Sequence, residues 1–158
     1  RRGTGAAGAP GTRAGRLRRV IVLDTNIISE TMRPRPSLEV MGWLDRQAPM
    51  ELFVTSVSIG EIHFGLECLD KGRRKIDLQA RFQQFLERGF EGRVLDYSAR
   101  CARQYGTLMA QRRTAGRPLA APDAQIAAIC LARGAGIATR NVRDFEQCGI
   151  PVVNPFED

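Results

Sequence analysis

The sequence predicts an α/β domain with a mostly parallel central sheet. Residues 20–23 read Val-Ile-Val-Leu, an apolar run without polar alternation that is typical of a strand buried on both faces. Further short apolar segments alternate with helical patterns along the chain, which favours a parallel sheet over a meander. Polar residues collect where the predicted strands end, and this is the edge at which open α/β sheets bind their ligands.

The predicted elements follow one another from residue 20 to the end of the chain. Strands are predicted at 20–23, 52–54, 93–95, 136–139 and 152–153. Helical patterns begin near 27, 36, 55, 76, 98, 122 and 141. Pro122 suits the first turn of a helix, where its missing N–H is not needed. Residues 71–75, Lys-Gly-Arg-Arg-Lys, are predicted to form a basic loop.

Length and charge bound the class of protein. A chain of 158 residues suits one domain with a real core, and no apolar run approaches the ~20 residues of a membrane span. We therefore expect a soluble protein. The formal net charge is +7, but six arginines precede the first acid, Asp24. They are Arg1, Arg2, Arg13, Arg16, Arg18 and Arg19. Global charge consequently says little about the partner of the folded part.

Two regions are expected from this composition. Residues 1–18 contain Gly, Ala, Arg, Thr and Pro with almost nothing to bury, and we expect a disordered basic extension. Residues 19–158 form the predicted domain. The cysteines, Cys68, Cys101, Cys130 and Cys148, have no C-x-x-C spacing. They are interpreted as reduced core thiols of a cytoplasmic protein and not as a zinc site.

Acidic and amide side chains are predicted to meet at one edge of the sheet. Helices begin at the carboxyl edge of a parallel sheet, so residues at strand ends and helix starts converge there. The candidates are Asp24, Glu61, Asp123, Asn141 and Asp144. Four carboxylates at one edge repel one another, which raises their pKa values or recruits a cation. Oxygen donors without histidine favour Mg²⁺ or Mn²⁺ over zinc. Such a cation suits phosphodiester hydrolysis.

Each acid also has a purely structural interpretation. Asp24 could cap the following helix, Ser58 to Glu61 fits a capping box, and Asn141 to Asp144 fits a looser version of it. Asp123 is a favourable acid in a first helical turn, and Asp96 is expected to be a cap. His63, the only histidine, lies about 200° around a helix from Glu61 and is interpreted as a surface residue.

Four sequence blocks, in order and at similar spacing, resemble the PIN-domain ribonucleases of the VapC/FitB-like toxins. The blocks are Val22-Leu23-Asp24-Thr25-Asn26-Ile27-Ile28-Ser29, Glu61 with Gly65, residues 119–128, and residues 138–145. The closing Val153-Asn154-Pro155-Phe156 also looks like the end of such a protein. The resemblance covers about residue 20 to the terminus, so the domain at 19–158 is expected to be a PIN domain.

The resemblance implies a three-layer α/β/α sandwich and a Mg²⁺-dependent endoribonuclease. Asp24 and Asp123 match the metal-binding acids, Glu61 the second acid and Asp144 the fourth. Some relatives place the fourth acid where this chain has Asn141. Asn26, Thr139 and Asn141 match polar residues that support the site. In the implied mechanism, an activated water attacks the phosphorus in line and leaves a 5′-phosphate and a 3′-hydroxyl.

Partners are also expected. Arg112, Arg113, Arg117 and Arg140 flank the acids in sequence and are candidate contacts to the RNA backbone; the alternative is that they are solvated surface residues. The resemblance implies an antitoxin partner and a homodimer. Apolar residues in the segments 38–44 and 57–69 exceed one narrow stripe, so we expect a groove between these segments for the antitoxin. An arginine of that partner could pair with Asp24 or Asp123.

Two other functions fit parts of the sequence. A haloacid-dehalogenase-like phosphohydrolase also places an aspartate after its first strand, but it needs D-x-D, and position 26 is Asn. A catalytically silent PIN domain could serve only as the partner of a DNA-binding antitoxin. The complete set of acids favours the nuclease over this binding protein.

Overall fold

The computed structural model describes residues 19–158, which form a five-stranded sheet with all strands parallel in the order β3-β2-β1-β4-β5. The strands are β1 Ile21–Leu23, β2 Leu52–Thr55, β3 Val94–Leu95, β4 Gly136–Ala138 and β5 Val152–Val153. The predicted strands are therefore confirmed, with ends shifted by a residue. The prediction for residues 1–18 lies outside the described part.

The central position of β1 explains its apolar sequence. Val22 pairs with Phe53 of β2 on one side and with Ile137 of β4 on the other. Its side chain has no exposed surface. A strand with neighbours on both edges and helices on both faces has no polar side to present, so an uninterrupted apolar run results.

Seven α-helices flank the sheet in residues 19–158. They are α1 Thr25–Thr31, α2 Leu38–Arg46, α3 Ser56–Glu67, α4 Arg73–Gln84, α5 Ala99–Thr114, α6 Ala121–Arg133 and α7 Val142–Phe145. A π-helical turn, Phe85–Gly89, continues α4, and a 3₁₀ turn, Pro49–Glu51, precedes β2. The basic segment 71–75 is not all loop, because α4 begins at Arg73.

The side chains of β1 alternate between two hydrophobic cores. Ile21 and Leu23 pack with the layer that contains α1 to α4, where Trp43 is buried. Val22 packs on the opposite face with α5 and α6, where Ile126 is buried. This alternation is the period-two geometry of a strand. It confirms the predicted three-layer α/β/α sandwich.

Three of the predicted helix caps are wrong. Ser58 is buried inside α3, and the cap is Thr55, whose Oγ1 accepts the Ser58 N–H at 3.0 Å. Helix α5 is capped by Ser98, which accepts from the Cys101 N–H at 3.4 Å, and not by Asp96. Asn141 precedes α7 but makes no capping hydrogen bond through its side chain. The predicted helix starts near 55, 98 and 141 are nevertheless close to the observed ones, so the error lies in the capping contacts and not in the helices.

The cysteines are free thiols, and three of them lie in the core. Cys101, Cys130 and Cys148 are buried, whereas Cys68 is exposed, so its assignment to the core is wrong. Burial raises the pKa of Cys130 to about 12, which keeps this thiol protonated and inert. Within residues 19–158, no helix combines the length and the apolar composition that crossing a membrane requires.

Candidate active site

The pairing of β1 with β4 brings Asp24 and Thr139 together. Leu23 and Ala138 are register partners at the ends of these strands, and each is followed by one of the two polar residues. The Asp24 N–H continues the ladder by donating to the Ala138 carbonyl at 2.9 Å. Asp24 is only 3% exposed, and Thr139 is fully buried. The sheet itself therefore fixes the position of this carboxylate.

Three donors hold the Asp24 carboxylate. Its Oδ1 accepts the Thr25 N–H at 2.8 Å, so Asp24 also caps α1. Its Oδ2 accepts the Thr139 hydroxyl at 2.6 Å and the Asn26 amide at 3.1 Å. Burial raises the pKa of Asp24, while these hydrogen bonds oppose that shift by favouring the charged form. Asp24 is thus both the cap of α1 and a residue of the candidate site.

Thr139 and Asn26 form a network behind this carboxylate. The Asn26 amide also donates to the Thr139 Oγ1 at 3.2 Å, and the Asn141 N–H donates to the same oxygen at 3.0 Å. The Asn26 Oδ1 accepts the Arg140 N–H at 3.1 Å. The first strand end and the fourth are therefore joined through polar side chains. Asn26 and Thr139, which the resemblance implies as supporting residues, thus both donate hydrogen bonds to Asp24.

Glu61 reaches the same edge from the second turn of α3. Its Oε1 accepts the Thr25 hydroxyl at 2.8 Å, which links α3 to the start of α1. Thr25 was not among the predicted site residues. Its place between Asp24 and Asn26 was the only available signal, because its partner is 36 positions away in the chain.

Asp123 lies half-buried in the first turn of α6. Burial, followed by the negative charges of Asp24, Asp144 and Glu61, raises its pKa from 3.8 to about 6. All four predicted acids are thus close enough to interact electrostatically. Asp123 therefore does lie in a first helical turn, as its structural interpretation predicts. The neighbouring carboxylates also destabilise its ionised form.

The acids open into a pocket of about 530 Å³. Asp24, Glu61 and Asp123 line it together with Asn141 and Arg140. Asp144 is exposed on α7 and lines a neighbouring pocket of about 540 Å³. Asn141 lies on the wall of both pockets, whereas Asp144 influences Asp123 only through its charge.

The donor set fits a hard cation held partly by water. In the described residues, no three His, Cys, Asp or Glu side chains are grouped closely enough to hold a metal ion by themselves. Mg²⁺ usually keeps several waters and takes only one or two protein carboxylates. Asp24 and Asp123 would supply that number. Burial and then the charge of Asp24 raise the pKa of Asp123, and a bound cation would oppose this shift.

One wall of the pocket was missed by the sequence analysis. Ser29, Glu30 and Arg33 line it from the second half of α1 and the turn after it. Glu30 is 6% exposed, and its carboxylate accepts from the Ser37 N–H at 2.8 Å and from Arg33 at 3.1 Å. This acid holds the start of α2 in place. The sequence around Glu30 does not indicate that this acid is buried or which residues it contacts.

The four candidate RNA contacts do not share one environment. Arg112 is buried, and its guanidinium donates to the Glu146 carbonyl at 2.7 Å beyond the end of α7. A buried guanidinium cannot reach the RNA backbone, so the prediction of Arg112 as a contact is wrong. Arg113, Arg117 and Arg140 are exposed, and only Arg140 among the four lines the pocket.

The apolar groove lies beside only one of the two segments that the sequence predicts for it. Leu66 of the segment 57–69 lines the groove, whereas Trp43 of the segment 38–44 is buried in the core. This groove, of about 660 Å³, lies between the end of α1, α3 and α4. Its walls include Met32, Pro34, Leu66, Leu78, Arg33, Arg73, Arg74, Asp77 and Arg81. It meets the acidic pocket at Ser29 and Arg33.

Comparison with protein families matches residues 21–150 to the PIN domain. The chain belongs to the PIN domain family. It is 38% identical to the plasmid stability protein StbB of Pseudomonas syringae pv. tomato over 87% of this chain and 99% of StbB. It is 36% identical to the VapC ribonuclease Y4jK of Sinorhizobium fredii over 87% of this chain and 99% of that protein.

The fold is also similar to a solved PIN protein. The crystal structure of FitAcB from Neisseria gonorrhoeae contains a chain that is 32% identical, with a TM-score of 0.82. The match covers 88% of this chain and 100% of that chain. Membership of the family and the three-layer architecture are thus supported independently by sequence and by structure.

Proposed function

We propose that this PIN domain is a Mg²⁺-dependent endoribonuclease and the toxin of a type II toxin–antitoxin pair, with Mn²⁺ as a substitute ion. The observation that carries the proposal is the pair of acids from β1 and α6. Asp24 is buried and Asp123 has a pKa raised to about 6 by burial and by Asp24, Asp144 and Glu61. The relatives named VapC ribonuclease and toxin FitB support the assignment.

The residues of this chain divide the work of the site. Asp24 and Asp123 would hold the cation. When bound, the cation would lower the pKa of its water and neutralise charge on the phosphoryl group. Thr139 and Asn26 keep the Asp24 carboxylate oriented. Glu61 is anchored through Oε1 to Thr25, which leaves Oε2 to orient the attacking water. Attack in line would release a 5′-phosphate and a 3′-hydroxyl.

The phosphohydrolase alternative conflicts with the geometry. Asn26 occupies the second position of the D-x-D pattern, and its amide donates to both Asp24 and Thr139. An amide in this position cannot protonate a leaving group.

The free thiols and the expected substrate favour the cytoplasm as the compartment of action.

The test is cleavage of total RNA by the purified chain, with mapping of the new 5′ ends. We expect Asp24→Asn and Asp123→Asn each to lower the rate by at least about 100-fold, since even outer partners of a metal site are worth about 10–100-fold. Asp45→Asn, on an exposed position of α2, is the matched control. Full activity in EDTA, or in both variants, would reject the proposal. RNA binding without cleavage would favour the silent, binding-only domain.

We also propose an antitoxin segment as the occupant of the groove beside α3 and α4. Structures similar to this chain were solved as FitAB on a DNA fragment, with 32% identity, and as DNA-bound VapBC from Salmonella typhimurium, with 25% identity. The groove offers apolar contacts from Met32 and Leu66 beside three arginines of α4. A segment with apolar and acidic side chains would complement these walls.

The groove and the acidic pocket share Arg33, so a bound segment could extend to the acids. An arginine at its end would match the carboxylates of Asp24 and Asp123 and compete with the cation. Titration with the product of a neighbouring small gene should suppress cleavage, and Leu78→Asp should abolish the suppression while leaving cleavage intact. Suppression unaffected by this variant would place the partner on another surface.

We also propose that the chain forms a homodimer. Phe64 on α3 is 72% exposed, although its neighbours Ile62 and Leu66 are buried. A second copy covering this ring would explain an exposed aromatic residue in the middle of a helix. Sedimentation of the chain at tens of micromolar, with Phe64→Ser as the comparison, tests the dimer separately from the nuclease. A monomeric wild-type chain would reject it.

A further inference from the structure

Arg140 stands on the rim between two pockets. It lines the acidic pocket together with Asp24 and Asp123, and it also lines the neighbouring pocket of about 540 Å³. The second pocket contains Arg143 but also the acids Asp144 and Glu157. Their negative charges oppose an anion deep in that pocket. A phosphate next to the acidic pocket would therefore meet Arg140 at the rim.

Two contacts fix Arg140 at this position. Its N–H donates to the Asn26 Oδ1 at 3.1 Å, and Asn26 is bonded to Asp24 in turn. Its guanidinium carbon lies 4.4 Å from the centre of the Phe156 ring, a cation–π contact. The backbone of Arg140 is thus tied to the acids, while the side chain is laid on an aromatic ring near the end of the chain.

The guanidinium keeps its hydrogen-bonding capacity. In residues 19–158, the three ion pairs join Arg33 with Glu30, Arg46 with Asp158, and Lys75 with Glu67. Arg140 belongs to none of them, and within the same residues its guanidinium makes no hydrogen bond. A stacked guanidinium still presents its N–H groups at its edge, where a phosphate can accept two of them.

We propose that Phe156 is a positioning residue, which holds Arg140 at the rim to bind the backbone phosphate beside the scissile one. This inference rests on the proposed nuclease function and names the part of the substrate that Arg140 contacts. A guanidinium with fixed direction loses less freedom on binding than a free side chain. Phe156 acts through Arg140 and touches no reacting atom.

The test measures binding without cleavage. A fluorescein-labelled single-stranded uridine 12-mer is titrated with the full chain in EDTA, and the affinity is followed by anisotropy at several salt concentrations. We expect Phe156→Leu to raise the Kd about two- to fivefold, the scale of a partly exposed cation–π contact. Phe156→Trp should restore the wild-type affinity. Arg140→Ala should lower the salt slope by about 0.7, the value for one phosphate contact of a single strand.

The double variant separates positioning from packing. If Phe156 works through Arg140, Phe156→Leu has no further effect in the Arg140→Ala background. An equal loss in that background would overturn the inference, as would wild-type binding by Phe156→Leu. Arg140→Lys covers the case in which Phe156→Leu fails to fold, because it keeps the charge and removes the planar fork. Wild-type affinity of Arg140→Lys would then reject the role of the fork.

Two further results distinguish this inference from its premise. Competition by a polyglutamate peptide as effective as unlabelled RNA would assign the rim to an acidic protein segment and overturn the proposal. Cleavage of total RNA by the wild-type chain, combined with unchanged binding by Phe156→Leu, would leave the nuclease standing and reject only the positioning role. Absence of both cleavage and RNA binding would reject both.

Discussion

The two sides of the acidic pocket give a carboxylate opposite surroundings. On the sheet side, Asp24 is 3% exposed but accepts three hydrogen bonds, from Thr25, Asn26 and Thr139. On the helix side, Asp123 is half-buried, and its surroundings are the negative charges of Asp24, Asp144 and Glu61. The more deeply buried acid is thus the better supported one.

This difference shows where the negative charge of the pocket is least compensated. Donors around Asp24 favour its ionised form and compensate part of the burial, so the sheet side is prepared to hold charge. On the helix side, burial and then the repulsion of the neighbouring acids raise the pKa of Asp123 to about 6. A cation between them would remove the repulsion at Asp123 without disturbing the network at Asp24. The sheet side thus fixes the position of Asp24, and the helix side contains the uncompensated repulsion at Asp123.

The largest expected effect that tests this contrast comes from removing a donor on the sheet side. Thr139→Val keeps the shape but removes the hydroxyl that donates to Asp24 at 2.6 Å. We expect the affinity for Mg²⁺ to fall about 10–100-fold, the usual cost of losing an outer partner. Calorimetric titration of Mg²⁺ measures it. Thr139→Ser keeps the hydroxyl and should bind like the wild type. Unchanged affinity of the valine variant would show that the network does not orient Asp24.

The second prediction concerns the stability of the metal-free protein on the helix side. Asp123 has a pKa of 3.8 when unfolded and about 6 when folded, so the folded state binds its proton more tightly. Its contribution to the free energy of unfolding is therefore most favourable below pH ~4 and is lost as the pH rises from ~4 to ~6. After a discount for solvent screening of this half-exposed group, the loss is about 1 kcal/mol.

Urea unfolding in EDTA measures this contribution. Asp123→Asn should be about 1 kcal/mol more stable than the wild type at pH 8, and the difference should disappear near pH 4. Asp45→Asn, outside the site, should show no such change. Addition of Mg²⁺ should reverse the order at pH 8, because only the wild type gains stability from the bound ion. Equal stabilities of wild type and Asp123→Asn in EDTA would show that the charge of Asp123 does not destabilise the folded protein.

The sheet side could be predicted from sequence, and the helix side only in part. An apolar run that ends in Asp24, and another that ends in Thr139, places both residues because strand ends in a parallel sheet meet. Asp123 followed from the proline that starts its helix. Caps were harder, since Thr55 and Ser58 both fit a helix start and only the end of β2 decides between them.

Contacts between distant segments had no local signal. The bond between Thr25 and Glu61, the burial of Arg112 against Glu146, and the ring of Phe156 beneath Arg140 all depend on how layers pack. One wall of the groove was misplaced for the same reason, because α4 lines it and the segment 38–44 does not. Exposed apolar residues in a sequence show that some surface needs covering, but only the packing of α3 against α4 shows which surface remains open.

The smallest expected effect asks which side of the pocket the RNA backbone follows. Arg140 belongs to the sheet side, whereas Arg113 and Arg117 lie at the end of α5 and in the loop that leads to α6. If single-stranded RNA crosses the whole pocket, Arg113→Ala with Arg117→Ala should lower the salt slope of binding by about 1.4, two contacts at about 0.7 each. Arg133→Ala, on the far end of α6, is the control. If the two arginines are only solvated, the slope matches the control and the backbone path is confined to the sheet side. Because each contact changes the slope by a fixed increment, the measurement counts phosphates on the helix side without requiring a structure of the complex.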